Sequence, residues 1–262
     1  MLALIVLFCL GPIVWQFLTS VKPTEQLLVL PPLLPSSIDL SHYVKVFEGR
    51  PFGRIMLNSA FVASATTLVA ITIGSLAAYA LAVLRVRGSK LFLITLLSIS
   101  MFPPIATVSP LYLLIRSLGL RDTYFALIFP YATFALPLSI WVLANFFHAI
   151  PLELQDAARI DGCTTFQAFR RIFLPLGAPG ISTAGILVFI YSWNEFLFAL
   201  TFTSTEKSQT IPVGIALFPG LHEIPWGEIA AATMIVTFPL LLLVFFFQRR
   251  IVSGLIAGAV TG

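Results

Sequence analysis

The chain has 262 residues, of which 58% are hydrophobic and 10% charged, and its mean hydropathy is +1.00. Soluble domains carry about 25% charged residues, so this polypeptide cannot cover itself in water; it reads as an integral membrane protein with room for roughly six spans of about 20 residues. The formal charge of +4 is accounted for by lysines and arginines at membrane ends and calls for no nucleic acid.

Met1 to about Leu18 is apolar, interrupted by Gly11 and Pro12, and lacks the basic start and small-residue cleavage site of a signal peptide; a first membrane span is expected. Lys22 to Arg54 is polar and proline-rich, with Pro31, Pro32 and Pro35, and reads as an aqueous loop holding a short helix from Ser41 to Phe47. Ile55 to Leu84 is a second span, dotted with Ser59, Ala60, Ser64, Gly74 and Ser75, small residues that let helices approach closely. Arg85, Arg87 and Lys90 make a basic turn after it. Leu91 to about Ile115 is a third span interrupted by Pro103, Pro104 and Pro110; these prolines read either as a plain kink or as freed carbonyls facing a wet pathway. Tyr124 to about Ile150 is a fourth span, Gly180 to Thr203 a fifth and Glu228 to Phe247 a sixth, stopped by Gln248, Arg249 and Arg250 and followed by a small, flexible tail. Between the last two spans, Ser204 to Gly227 is polar and carries Pro212, Pro219 and Pro225.

The interval Leu152–Pro175 stands apart, because it is polar, charged and helical in pattern between apolar runs. Pro151 suits a first helical turn, Glu153 and Asp156 lie near that turn's positive end, and Gly162 can take the left-handed geometry that ends a helix. Thr164 and Gln167 have capping-box spacing, so a second helix should start there, with Phe166, Phe169 and Ile172 as its apolar stripe and Pro175 too deep to continue it. Asp156-Ala157-Ala158, then Gly162, then Ile172-Phe173-Leu174-Pro175 resemble the "EAA" loop (E-A-A-x3-G-x9-I-x-L-P) of permease subunits in bacterial ATP-binding-cassette (ABC) importers, with Asp156 in place of glutamate. The surrounding sequence is most similar to MalG-type subunits of carbohydrate importers. That resemblance runs over nearly the whole chain and includes Trp193–Leu200 (WNEFLFAL) and the tail Phe247–Gly262.

The resemblance implies an all-α, six-span permease of the type I importer fold in the bacterial inner membrane. Residues 1–54 would hold the first helix and an external loop. Residues 55–247 would form the core with its coupling loop at about 151–178, and residues 248–262 a cytoplasmic tail. Asp156, Ala157, Ala158, Asp161, Gly162, Leu174 and Pro175 would meet an ATPase subunit, and the tail, with Arg249, Arg250, Gly254 and Gly258, would reach between two such subunits. A second, MalF-like permease, an external solute-binding protein facing the loop 204–227, and a sugar complete the implied assembly. ATP and magnesium belong to the ATPase, for this chain has no G-x-x-x-x-G-K-[ST] loop; Gly88-Ser89-Lys90 lacks the preceding glycine pattern. With six spans, Arg85, Arg87, Lys90, Arg159, Arg170, Arg171, Arg249 and Arg250 share one side in short segments beside membrane ends, which places the coupling loop and the tail in the cytoplasm.

Glu195 is the sharpest single residue. A charge at a span's centre costs at least about 2.5 kcal/mol on insertion scales, so Glu195 faces protein or water. It reads either as a contact to a polyhydroxy substrate, with Tyr191 and Asn194 as pathway neighbours, or as a hydrogen bond to another helix or subunit. His42, His148 and His222 are scattered without metal-ligand spacing, and Cys9 and Cys163 lie too far apart in sequence to suggest a disulfide or zinc site. Two other readings stay open: the permease of a non-sugar ABC importer, and an ion-coupled transporter acting alone. The latter would show more intramembrane charge.

Overall fold

The computed structural model describes the backbone of residues 1–27, 33–48, 50–84, 86–218 and 224–259, and side chains there except for residues 2, 3 and 249–259. Pro31, Pro32, Arg85, Pro219 and His222, singled out above, lie outside the described residues. No strand occurs among those described.

In chain order the helices are α1 (Leu2–Ser20), α2 (Thr24–Leu27), α3 (Ser41–Glu48), α4 (Phe52–Ala82), α5 (Ser89–Ser100), α6 (Pro104–Ser117) and α7 (Phe125–His148). Then follow α8 (Glu153–Ile160), α9 (Thr165–Ala168), a π-helical turn (Phe169–Phe173), α10 (Leu174–Leu176), α11 (Ala178–Asn194), α12 (Leu197–Phe202), α13 (Ile211–Ala216) and α14 (Trp226–Ala259). The bundle is built on α4 packed against α7, with α11 lying across both and α1 against α14. Gly74 is one reason α4 and α7 come so close: a methyl group there would sit 2.7 Å from Ser139 Oγ.

Among the described residues three helices, α4, α7 and the Trp226–Gln248 part of α14, are long and apolar enough to cross a membrane unaided. The expected first span is a shorter apolar helix, Leu4–Ser20 within α1, and the third and fifth are broken. The third divides at Met101–Pro103 into α5 and α6, which meet at 87°, far beyond a kink. Pro103 is extended and Pro104 occupies the first position of α6, so the proline pair ends one helix and starts the next. The fifth was expected to run unbroken from Gly180 to Thr203. It parts instead at Glu195, whose backbone is extended (φ −69°, ψ 127°).

The C-terminal tail is also not the flexible segment expected: α14 continues through Gln248, Arg249 and Arg250 to Ala259. Glutamine and arginine are good helix formers, so their charge ends a membrane crossing without ending the helix. At 34 residues α14 is about 51 Å long, against a hydrocarbon core of about 30 Å. Its last turns must stand out of the bilayer.

Candidate functional site

The 151–177 segment folds as an elbow at one end of the bundle. Helix α8 begins with Glu153 and Asp156 in its first turn and closes with Arg159 in its last, the order that complements the helix dipole. Asp161 caps it, and Gly162 takes φ +79°, as its place after the helix requires. The capping box is formed: Thr164 Oγ1 accepts from the Gln167 backbone N–H at 3.2 Å, and Gln167 Oε1 accepts from the Thr164 N–H at 2.8 Å. The second helix then keeps going past the expected stop. A π turn over Phe169–Phe173 sends the Leu174 N–H back to Phe169 O, and Pro175, which has no N–H to give, falls in the first turn of α10. The chain finally bends by 77° at Gly177 to enter α11.

Which face is buried differs from the stripe read in the sequence. Phe169 and Phe173 are buried and Ile172 packs beside them, whereas Phe166 is 62% exposed. The buried pair closes around Tyr79 near the end of α4, with ring centroids 5.2 Å and 5.1 Å away, and Phe147 of α7 completes the cluster. From inside it, Tyr79 Oη donates to Gln155 Oε1 at 2.8 Å and lies 3.3 Å from Thr165 O. One hydroxyl thus meets both helices of the elbow. Two glycines tighten the joint: a methyl group on Gly177 would lie 2.4 Å from the Phe147 ring and 2.8 Å from Phe173 O, and one on Gly180 would lie 2.4 Å from Phe146.

The motif residues therefore divide by burial. Ala158 is buried against its own bundle, as is Gln155, and Leu174 is half-buried beside the aromatic cluster. Asp156, Ala157, Asp161, Gly162 and Pro175 are exposed, and so is Ile160, at 86%. A notch of about 190 Å³ lies between α8 and the end of α4, lined by Val83, Leu84, Leu152, Gln155, Asp156 and Arg159. Ile160 belonged to no motif position. An apolar residue on the polar side of a strongly amphipathic helix was the available signal for it.

The pathway candidates do not form one cluster. Glu195 Oε1 accepts from the Phe198 N–H at 2.9 Å and Oε2 faces the Ala199 N–H at 3.2 Å, so this carboxylate caps α12. That accounts for a charge in a broken span without any ligand. Tyr191 is half-buried beside it, while Asn194 is exposed and donates from Nδ2 to Ile190 O at 2.8 Å. Of the histidines, His42 is buried with Nε2 2.9 Å from Lys22 O, and His148 is exposed at the end of α7. The helix carrying Arg249, Arg250, Gly254 and Gly258 is described, but their surroundings are not.

At the other end of the bundle, a site with no sequence motif holds the segment 203–210. Asp122, with φ 60°, accepts at Oδ1 from the N–H groups of Ser204 (2.8 Å) and Thr205 (3.0 Å) and from the Ser208 hydroxyl, and at Oδ2 from the Thr205 hydroxyl (2.6 Å). Partial burial pushes this carboxyl up, but the four donors outweigh it and hold it down at about 2. Asn58 of α4 donates to Glu206 O and Gln209 O, and accepts from Tyr124 Oη at 2.7 Å.

Residues 70–256 match the family of binding-protein-dependent transport system inner membrane components. This chain belongs to that family. Among similar proteins, this family member is 45% identical over 261 residues to the trehalose transport system permease protein SugB of Mycobacterium tuberculosis, covering 99% of this chain and 95% of that one. It is 43% identical over 262 residues to the trehalose/maltose transport system permease protein MalG of Thermococcus litoralis, covering 99% and 94%. The sulfoquinovosyl glycerol transport system permease protein SmoH of Agrobacterium fabrum is 41% identical over 97% of this chain and 89% of its own. In fold, the permease is similar to a chain of a bacterial ABC transporter that imports the acidic polysaccharide alginate, with a TM-score of 0.77 at 23% identity, covering 95% of this chain and 92% of that one.

Proposed function

We propose that this chain is a permease subunit of an ATP-driven, binding-protein-dependent sugar importer, forming half of the translocation pathway and coupled through the 151–177 elbow to a separate ATPase. Family membership and the sugar permeases similar to it support the transport reading. The observation that carries the coupling reading is the division of the elbow: an exposed face of Asp156, Ala157, Ile160 and Gly162 mounted on a core welded by Tyr79 to α4 and α7. A partner pushing on that face moves α4 and α7 bodily, because close-packed cores transmit displacement with little compression.

The remaining parts of the assembly follow from this reading. Two ATPase subunits, which hold the ATP and magnesium, receive this elbow and that of a second, MalF-like permease. The α14 extension with Arg249, Arg250, Gly254 and Gly258 reaches towards the ATPases on the cytoplasmic side, and the opposite end of the bundle faces the solute-binding protein. ATP and the loaded binding protein each favour one of two states by differential affinity, which is what alternating access needs. Tyr191 and Asn194 border the pathway. Glu195 shapes it, by starting α12 where the span would otherwise continue.

The trehalose, trehalose/maltose and sulfoquinovosyl glycerol permeases similar to this chain support a disaccharide or glycoside as the solute. The test is reconstitution: the assembled complex in liposomes should take up trehalose or maltose only with ATP and a cognate binding protein, and affinity-purified chain should bring down an ATPase. Uptake by this chain alone, driven by an ion gradient, would overturn the reading.

A further inference from the structure

At the end of the bundle away from the elbow, a cavity of about 440 Å³ opens between the starts of α4 and α7. Its walls change character with depth. Arg54, in the first turn of α4, and Lys207, in the 203–210 segment, stand at the rim; both are exposed, and neither side chain has an ion pair or hydrogen bond among the described residues. Thr123, Tyr124 and Ser208 lie beside them, and Phe61, Phe125 and Ile128 supply an apolar wall. Phe61 lies seven residues beyond Arg54 on one helix, which puts it about 10 Å deeper into the bilayer. Asp122 also borders the cavity, but its oxygens are already occupied by the four donors from Ser204, Thr205 and Ser208. The lining thus offers two uncommitted cations and one committed carboxylate.

We infer that this cavity holds an anionic phospholipid, its phosphate between Arg54 and Lys207 and an acyl chain along Phe61, Phe125 and Ile128. The two-part lining selects the ligand. A soluble anion would use the rim and leave the apolar depth wet, and a protein loop arriving from water would not reach Phe61 within the hydrocarbon. A zwitterionic lipid would bring a positive charge of its own to a rim already carrying two. A bound anionic lipid would brace the 203–210 segment against α4 and α7. The inference rests on the membrane placement of α4 and α7, not on the solute carried: a transporter of any other compound would hold the lipid equally.

The assembled transporter, purified in mild detergent, should be titrated with phosphatidylglycerol and phosphatidylcholine and the adducts counted by native mass spectrometry. Phosphatidylglycerol is expected to bind tighter. Arg54→Gln and Lys207→Gln should each weaken it roughly five-fold and the double variant roughly 25-fold, with little change for phosphatidylcholine. Phe125→Ala, which leaves both charges in place, should weaken both lipids. Glycerol 1-phosphate, the headgroup without its chains, should fail to compete. Equal affinity for the two lipids, unchanged phosphatidylglycerol binding in the double variant, or full competition by glycerol 1-phosphate would each overturn the inference. So would a cross-link from position 61 to the second permease, since protein would then fill the groove. Should the double variant fail to assemble, the wild-type lipid preference and Phe125→Ala decide the matter alone.

Discussion

The two ends of the bundle are fastened by opposite chemistry. At the elbow, Tyr79, Phe147, Phe169 and Phe173 interlock and neighbouring rings crowd Gly177 and Gly180, so apolar packing fixes the joint and one hydroxyl, Tyr79 Oη against Gln155 and Thr165, orients it. At the far end, Asp122 and Asn58 hold the 203–210 segment through a set of hydrogen bonds. Packing resists displacement in every direction and suits a part that carries force. A hydrogen-bonded segment keeps its shape yet presents its outer face to water, which suits a surface that meets a soluble partner. On this view damage to the elbow should spread through the spans, while damage at Asp122 should stay local.

The largest effect should come from Gly177→Leu. Its first carbon would meet the Phe147 ring at 2.4 Å and the Phe173 carbonyl at 2.8 Å, and the backbone oxygen cannot rotate away. Overpacking of this kind costs roughly 3 kcal/mol or more, and the thermal midpoint of the assembled complex should fall together with ATP-driven uptake. If uptake persists with an unchanged midpoint, the elbow is not the rigid joint described.

Asp122→Ala comes next. Hydrogen bonds to a charged group contribute about 1.5–3 kcal/mol each when buried, and partial exposure reduces the set to about 2 kcal/mol in all. Amide exchange should speed up across 204–209 and stay unchanged in the elbow. The folded carboxyl sits at about 2 against an ordinary 3.8. Its contribution is therefore complete above 3.8 and is lost as pH falls through about 2, so the wild-type segment should keep its protection from neutral pH to mild acid. Loss of protection already near pH 6 would contradict this assignment.

The difference between the ends also explains what the sequence made legible. Elements that rest on local chemistry were readable: Thr164 with Gln167 announced a capping box, Gly162 a left-handed stop, and the apolar runs most of the spans. What depended on non-local accommodation was not. Pro175 announced a stop, but a π turn rerouted one N–H and let the helix pass. Glu195 announced a charge within a span, but not that the span would break to use it as a cap. The Asp122 site joins residues more than 80 positions apart, and no spacing rule reaches that far. Ala157 and Ala158 looked alike in the motif, and the fold leaves one exposed and buries the other.

Gly162→Ala is a gentler challenge to the elbow. A methyl group there meets nothing within 4 Å, so the only penalty is φ +79° with a side chain present, about 1–2 kcal/mol. Because the position is exposed between α8 and α9, the spans should stay folded while α8 tilts on its mount. ATP hydrolysis per sugar transported should rise, with the thermal midpoint nearly unchanged.

The smallest expected effect is the most diagnostic. Tyr79→Phe keeps the ring among Phe147, Phe169 and Phe173 and deletes only the hydroxyl that donates to Gln155. One neutral hydrogen bond contributes about 1 kcal/mol, so stability should barely move. If the aromatic cluster alone carried the force, uptake per ATP would not change either. If the hydroxyl sets the angle of α8, as its contacts to both helices of the elbow suggest, coupling should fall measurably, and Gln155→Ala should produce the same loss. The double variant should then be no worse than Tyr79→Phe alone, because that substitution already removes the bond to Gln155. An additive loss would place the orienting contact elsewhere in the elbow and leave Tyr79 with packing as its whole role.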